Sequence, residues 1–233
     1  MIHISKRLQA VAAMVSPGSR LADVGTDHGY VPIWLIQNNI ITEALAMDIN
    51  EGPLARAREN IAQCGLSERI RTRLSDGLEA LVPGEADSLV MAGMGGLLMT
   101  DILRTAGQSG KLACFNEMIL QPQSDMDAVR RALHGWGYCI DREDMVVDAG
   151  KYYVVMHVVA GDEHYDHAWE YIYGRCLLVS GHPVLKSFLT WQLNSKQALL
   201  KKLENVETEG AADYRPRLSA ELSQIRMLLD TYF

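Results

Sequence analysis

Residues 21–35, LADVGTDHGYVPIWL, set Asp23, Gly25, Thr26, Asp27, His28, Gly29 and Tyr30 directly behind a short apolar run. A glycine turn that follows a first strand is where a nucleotide or nucleoside ligand comes closest to the backbone, because glycine has no Cβ to keep it away. The spacing here is G-x-x-x-G, whereas the dinucleotide fingerprint is G-x-G-x-x-G. Asp23 and Asp27 would also repel a pyrophosphate. An acid in this turn suits a ligand with a cationic end.

Two more acids stand at the ends of the next apolar runs. Asp48, followed by Ile49, is placed to take two ribose hydroxyls, and Asp76, followed by Gly77, is placed to accept an exocyclic adenine amine. Three acids at three consecutive strand ends converge on one crevice, since ligands of open α/β sheets bind outside the carboxyl ends of the strands. S-adenosylmethionine, with an ammonium and a sulfonium, has the matching charge. A second cluster, SLVMAGMGGLL at residues 88–98, bares the backbone around Met94 through Gly93, Gly95 and Gly96, with Ala92 before them. It is expected to face the reacting end of such a ligand.

The elements that must position these groups follow from periodicity. Apolar runs at 20–24, 43–47, 69–74, 87–92, 118–121, 138–147 and 152–159 alternate with helical segments, the pattern of an α/β fold with a mostly parallel sheet. The helices read as VPIWLIQNN, EGPLARARENIAQCGL with Gly65 as its stop, GGLLMTDILRTAG, and SDMDAVRRALHGWG with Ser124 as its cap. DAGK is too short for a helix, so the last two strands form a hairpin and at least one is antiparallel. From Gly161 the chain reads as helix only. Leu185, Leu189, Leu193, Lys196, Leu199, Leu200, Leu203 and Val206 form one stripe, and Leu218, Leu222, Ile225, Leu228 and Leu229 form another. With ETEGAADYRPR as a proline-containing linker they make an αα-hairpin, so the expected domains are 1–160 and 161–233.

The chain has 233 residues, 48% of them hydrophobic, and a net charge of −7, a globular profile that argues against a generally basic nucleic-acid coat protein. Cys64, Cys114, Cys139 and Cys176 are too far apart for a zinc site or a disulfide framework, so no metal is implied and a cytoplasmic location is expected. The opening MIHISKRLQAVAAMV reads as a cap helix, with Ile4, Leu8, Val11 and Val15 on one side and Lys6 and Arg7 on the other. It lacks the long apolar run and small-residue cleavage site of a signal peptide, and no run is long enough to span a membrane.

ADVGTDHGYVPIWL, AMDINEGPLARARENI, IRTRLSDGLEAL and AGMGG together resemble the bacterial tRNA (adenine-22-N1)-methyltransferases, the TrmK family, over essentially the whole chain. The resemblance implies a class I Rossmann-like methyltransferase with a seven-stranded sheet, followed by a coiled-coil-like C-terminal domain. It also implies S-adenosyl-L-methionine as donor and the N1 atom of a tRNA adenine as acceptor. By motif position Asp23, Gly25, Asp48 and Asp76 match the cofactor site. Thr26, Gly29, Ile49, Gly77, Ala92, Gly93 and Met94 complete the expected cofactor set. The Asn/Asp-Pro-Pro-Tyr motif of many base methyltransferases is absent, which leaves open what stacks on the base.

For such a reaction Asp27 and His28 are the candidate catalytic pair, and Tyr30, Gly95 and Gly96 the candidate substrate contacts. RNA would meet local basic clusters: Arg56 and Arg58; Arg69, Arg71 and Arg73; Arg130 and Arg131; Lys196, Lys201 and Lys202. The same core would serve a methyltransferase acting on a small molecule or a protein, or a non-catalytic RNA-binding protein. A nicotinamide-dependent oxidoreductase fails on the missing third glycine and the acids in the turn. The sequence does not fix an oligomeric state.

Overall fold

In the computed structural model, which describes residues 2–203, 206 and 208–233, the apolar runs become a seven-stranded sheet. Its strands are β1 (Arg20–Val24), β2 (Glu43–Asp48), β3 (Ile70–Leu74), β4 (Ser88–Met94), β5 (Glu117–Pro122), β6 (Tyr138–Asp148) and β7 (Lys151–Ala160). The helices of the same unit are α1 (Lys6–Met14), α2 (Tyr30–Gln37), α3 (Glu51–Gln63), α4 (Gly96–Gln108), α5 (Met126–Gly135) and α6 (Ala168–Tyr173). The strand order is β3-β2-β1-β4-β5-β7-β6. Neighbours from β3 to β5 pair in parallel, while β7 is antiparallel to both β5 and β6. The hairpin turn explains that reversal: Ala149 and Gly150 both have positive φ, +47° and +75°, which suits the twist of a two-residue loop.

The chain starts in the middle of the sheet and moves outward to β3, then returns beside β1 to continue through β4. The order therefore switches between β1 and β4, which opens a crevice at their carboxyl ends. One helical layer, α1 to α3, shares a buried core with the strands through Val11, Val15, Ile33, Leu35, Ile36, Ala57 and Ile61. Helices α4 and α5 pack on each other and bring in Met99, Leu103, Val129 and Leu133, all buried. No helix among the described residues is long and apolar enough to cross a membrane.

Several local expectations change. Ser124 is not the cap of α5; Asp125 takes that position in a left-handed conformation, and the Ser124 hydroxyl donates to it at 2.6 Å. The compact units divide after Gly174, so residues 161–174 belong with the sheet. The physical tie is Arg130, fully buried, which binds Glu143 and donates to the Tyr171 carbonyl at 2.7 Å.

The second unit, 175–233, holds α7 (Arg175–Val179), α8 (Pro183–Leu203) and α9 (Glu209–Tyr232). Lys196 bonds Glu221, and Lys186 reaches the Phe233 carbonyl, so α8 and α9 run antiparallel. The expected linker is mostly helix: Thr208 caps α9 through its side chain, and Pro216 lies inside the helix. Glu207, which opens that expected linker, lies outside the described residues. Leu185, Leu189, Leu218, Leu222, Ile225 and Leu228 are buried, whereas Leu199 is exposed.

Candidate active site

Asp23 leaves β1 at the centre of the sheet, where its neighbours β2 and β4 shield it, and it is only 5% exposed. The Thr26 hydroxyl donates to its carboxylate at 2.5 Å. Burial lifts the Asp23 carboxyl to about 6, with the Thr26 bond pulling down and the nearby Asp48 charge pushing further up. A buried acid short of positive charge and open to a cleft is a receptor for a cation.

The turn after Asp23 is fixed to β2, since the backbone N–H groups of Gly25 and Thr26 both donate to the Met47 carbonyl, at 2.9 and 3.0 Å. Gly25 has φ +78°, and a Cβ there would sit 3.0 Å from the Met94 methyl, so Met94 reaches from β4 across this turn. Pairing between β4 and β5 skips from Ala92 to Met94, which makes Gly93, at φ +86°, a bulge residue. Such a bulge re-aims the strand end, and here it turns bare backbone toward the cleft.

A cleft of about 530 Å³ opens at this switch point, lined by Asp23, Gly25, Thr26, Asp27, His28 and Tyr30, by Ala92 and Gly93, and by Arg7 and Gln123. A second, of about 630 Å³, is lined by Ile49, Asp76, Leu98, Ile102 and Lys111. Asp48 ends β2, between β1 and β3; it is 9% exposed, and its Oδ1 accepts from the Asn50 backbone at 2.8 Å. Ile49 and Leu98 are 57% and 56% exposed, apolar surface that a planar ring would cover.

These residues fit S-adenosylmethionine. The Asp23 carboxylate offers the negative charge its ammonium end requires, Gly25 leaves the space, Asp48 stands where ribose hydroxyls would be taken, and Ile49, Leu98 and Asp76 offer apolar walls and an acceptor for adenine.

Asp27 is exposed and has φ +34°; its Oδ1 accepts from Arg56 at 2.9 Å and its Oδ2 lies 3.5 Å from His28 Nε2. His28 stacks on Tyr30 with ring centroids 5.0 Å apart and planes 10° from parallel. The Asn60 side chain holds the His28 carbonyl at 2.9 Å. Asp27, His28 and Tyr30 are thus brought to one rim.

Other expected glycines serve packing. A Cβ on Gly29 would touch Ala57 and Ile61 of α3 at 3.5 and 3.6 Å, and one on Gly77 would lie 2.6 Å from Ile102 of α4. A Cβ on Gly96 would come within 2.3 Å of the Ser124 carbonyl, and one on Gly95 within 3.4 Å of the Ser124 hydroxyl, so these two let α4 start against the loop before α5. The basic clusters also thin out. Arg130 is withdrawn into the core, Arg73 is held by Glu85, Arg69 by the Thr42 and Ile41 carbonyls, and Lys196 by Glu221.

Sequence reasoning missed the cleft wall built by α1 and β5. Arg7, expected on a solvated face, bonds Gln121 Oε1 at 2.7 Å and lies over the Tyr153 ring at 5.6 Å. The signal available was an LQPQ strand end at residues 120–123, where two glutamines close an apolar run.

Comparison with known proteins agrees with this geometry. Residues 4–156 match the family model described as Methyltransferase domain. The chain is 38% identical over 161 residues to the tRNA (adenine(22)-N(1))-methyltransferase of Bacillus subtilis, covering 69% of this chain and 67% of that one. The crystal structure of the B. subtilis M1A22 tRNA methyltransferase TrmK superposes with a TM-score of 0.82 at 29% identity, covering 98% of this chain and 100% of that one. M. capricolum TrmK in complex with S-adenosyl-homocysteine, its natural cofactor product, matches with a TM-score of 0.82 at 25% identity over 99% of each chain. With the strand order, the acid-lined switch point and these relatives in agreement, the chain belongs to the family of the tRNA (adenine(22)-N(1))-methyltransferases.

Proposed function

We propose that this protein is an S-adenosyl-L-methionine-dependent enzyme that methylates N1 of adenine 22 in tRNA. The observation that carries the reading is the buried, cation-seeking Asp23, which opens on a cleft that continues past the Gly93 bulge to a rim of Asp27, His28 and Tyr30.

When bound, the cofactor supplies a methyl group made electrophilic by its sulfonium. Adenine N1 already carries a lone pair, so the protein's work is alignment more than deprotonation. Asp23, Gly25, Thr26, Asp48 and Asp76 fix the donor, with Ile49 and Gly77 beside the adenosine end and Ala92, Gly93 and Met94 beside the methyl. The stacked His28–Tyr30 pair offers a flat face for a splayed base, the role that an aromatic motif after β4 fills in other base methyltransferases. The product base is cationic, and the Asp27 carboxylate at the rim offsets that charge as it develops, with Arg56 holding its orientation. Every residue named here lies in the first compact unit, which ends at Gly174. A cytoplasmic location is the reading that goes with a tRNA substrate.

The test is transfer of labelled methyl from S-adenosylmethionine to unmodified tRNA transcripts, followed by mapping of the product. Label at N1 of adenine 22, lost when that base is replaced by guanine, is the expected result. Cofactor binding without transfer to any tRNA would overturn the reading.

A further inference from the structure

We propose that Gln123 reads the target adenine by its Hoogsteen edge, its Oε1 accepting from the N6 amine and its Nε2 donating to N7, so that N1 is left free to react. The inference rests on the function proposed above, and it names the residue that makes the site specific for adenine.

Gln123 follows β5 directly, and its backbone N–H donates to the Met94 carbonyl at 2.9 Å, which ties it to the end of β4. Its Nε2 lies 3.8 Å from where a Cβ of Gly93 would be, and it lines the cleft that also holds Asp23. The Gly93 bulge therefore places bare backbone beside this carboxamide and the Arg7 guanidinium, whose Nη1 lies 3.3 Å from the same point. A base can approach this backbone as no side chain would allow.

Among the described residues the Gln123 carboxamide has no hydrogen-bond partner. Gln121, nearby in sequence, contrasts with it: its Oε1 accepts from Arg7 at 2.7 Å, and its Nε2 donates to the Pro122 carbonyl at 3.1 Å. The charged groups of the cleft do not present this pairing of a donor with an acceptor. Asp23 is bound by Thr26, Asp27 is bound by Arg56, and Arg7 has no acceptor to offer an amine.

Adenine methylated at N1 cannot be recognised through N1. Its neighbouring edge presents a donor at N6 and an acceptor at N7, the complement of one carboxamide. Guanine presents acceptors at both O6 and N7, so the same amide in the same orientation would face one of them oxygen to oxygen. As the bond to N1 forms, positive charge spreads through C6 onto N6. The bond to Oε1 then strengthens, so the contact favours the transition state over the bound substrate.

The experiment is a cycle between protein and RNA: wild type and Gln123→Met, each given tRNA with adenosine or 7-deazaadenosine at the target position. Any change in the basicity of N1 is common to both enzymes and cancels. Wild type should lose about tenfold in kcat/KM on the 7-deaza substrate, one bond of a bidentate pair. Gln123→Met should lose at least about tenfold on adenosine, mostly in kcat, and nothing further on 7-deazaadenosine, with cofactor affinity by calorimetry unchanged. A variant that keeps the full 7-deaza penalty, or that methylates adenosine as fast as wild type, overturns the inference and leaves the function standing. A wild type inert on every tRNA adenine overturns the function and this inference with it.

Discussion

Replacing Asp23 by Asn should make the protein more stable at neutral pH while removing its hold on the cofactor. In the native state the carboxyl titrates at about 6 against an ordinary value of 3.8. A difference of that size corresponds to about 3 kcal/mol, at about 1.4 kcal/mol for each pH unit, since the group is buried without a screening solvent. For an acid whose native value is raised, the folded chain keeps its proton to higher pH than the unfolded chain. Below about pH 4 both states are protonated and there is no penalty. Between about 4 and 6 the unfolded chain ionises first, so stability falls as pH rises, and above about 6 the full loss persists.

The carboxamide introduced by Asp23→Asn never ionises, and its Oδ1 still accepts from Thr26. Its spare N–H groups cost a fixed amount at all pH values, so the informative quantity is the change with pH. Urea unfolding followed by circular dichroism at about pH 4.5 and about pH 7.5 should show the variant gaining about 2–3 kcal/mol on wild type between the two. Parallel stability curves would refute an uncompensated buried charge at Asp23. Calorimetry supplies a second arm: wild type should release part of a proton on binding S-adenosylmethionine at about pH 6, read from buffers of different ionisation enthalpy. Asp23→Asn should release none and bind at least about tenfold more weakly, one charge-assisted bond being about 1.5–3 kcal/mol.

Gly25→Ala should cost only about 1–2 kcal/mol in stability, from its φ of +78°, because the Met94 side chain can yield; cofactor affinity measured by calorimetry should fall by more than about tenfold. Arg130→Met removes the fully buried Arg130–Glu143 ion pair and should cost about 3–5 kcal/mol in urea, with proteolysis opening first in residues 161–174. His157 lies between Glu117 at 2.9 Å and Asp141 at 2.5 Å, with Arg142 opposing, and the two carboxylates raise its pKa against the pull of burial. Its contribution is complete below the ordinary value of 6.5 and is lost as pH rises through the raised native value, so wild-type stability should decline above neutrality while that of His157→Gln stays flat.

The acids at the ends of β1 and β2 were legible because a parallel sheet sends successive strand ends to one edge, and an apolar run followed by Asp marks each end. The β6–β7 hairpin was legible from DAGK, too short for a crossover. The glycines were readable only as glycines: Gly25 and Gly93 border the cleft, whereas Gly77 and Gly96 are demanded by Ile102 and the Ser124 carbonyl, and nothing local separates the two cases. Arg130 looked like a surface charge because its partners lie at Glu143 and Tyr171, supplied by tertiary structure. The same holds for Arg7, which meets Gln121 of β5 only after α1 has packed on the sheet. Pro216 misled more simply, since a proline inside a helix is tolerated where the packing of Leu218, Leu222 and Ile225 holds the rest.

The cleft sets its charges in an order that follows the reaction. At the donor end an acid is buried beyond its ordinary tolerance, and the Asp48 charge adds to the strain, so a cation entering there relieves a cost the fold already carries. At the acceptor end the product is also a cation, yet it must leave. There the carboxylate is exposed and shared with Arg56, and the groups nearest the Gly93 bulge are the Arg7 guanidinium and the neutral Gln123 amide, neither of them an anion. A fully buried acid on that side would bind the methylated base as tightly as Asp23 is suited to hold the donor, and release would slow. Asp27→Asn should therefore cost rate without changing cofactor affinity, whereas Arg56→Met, which frees Asp27 of its partner, should slow product release and appear as a burst in rapid-quench methyl transfer. A steady rate with no burst would show that the Asp27–Arg56 pair does not govern release.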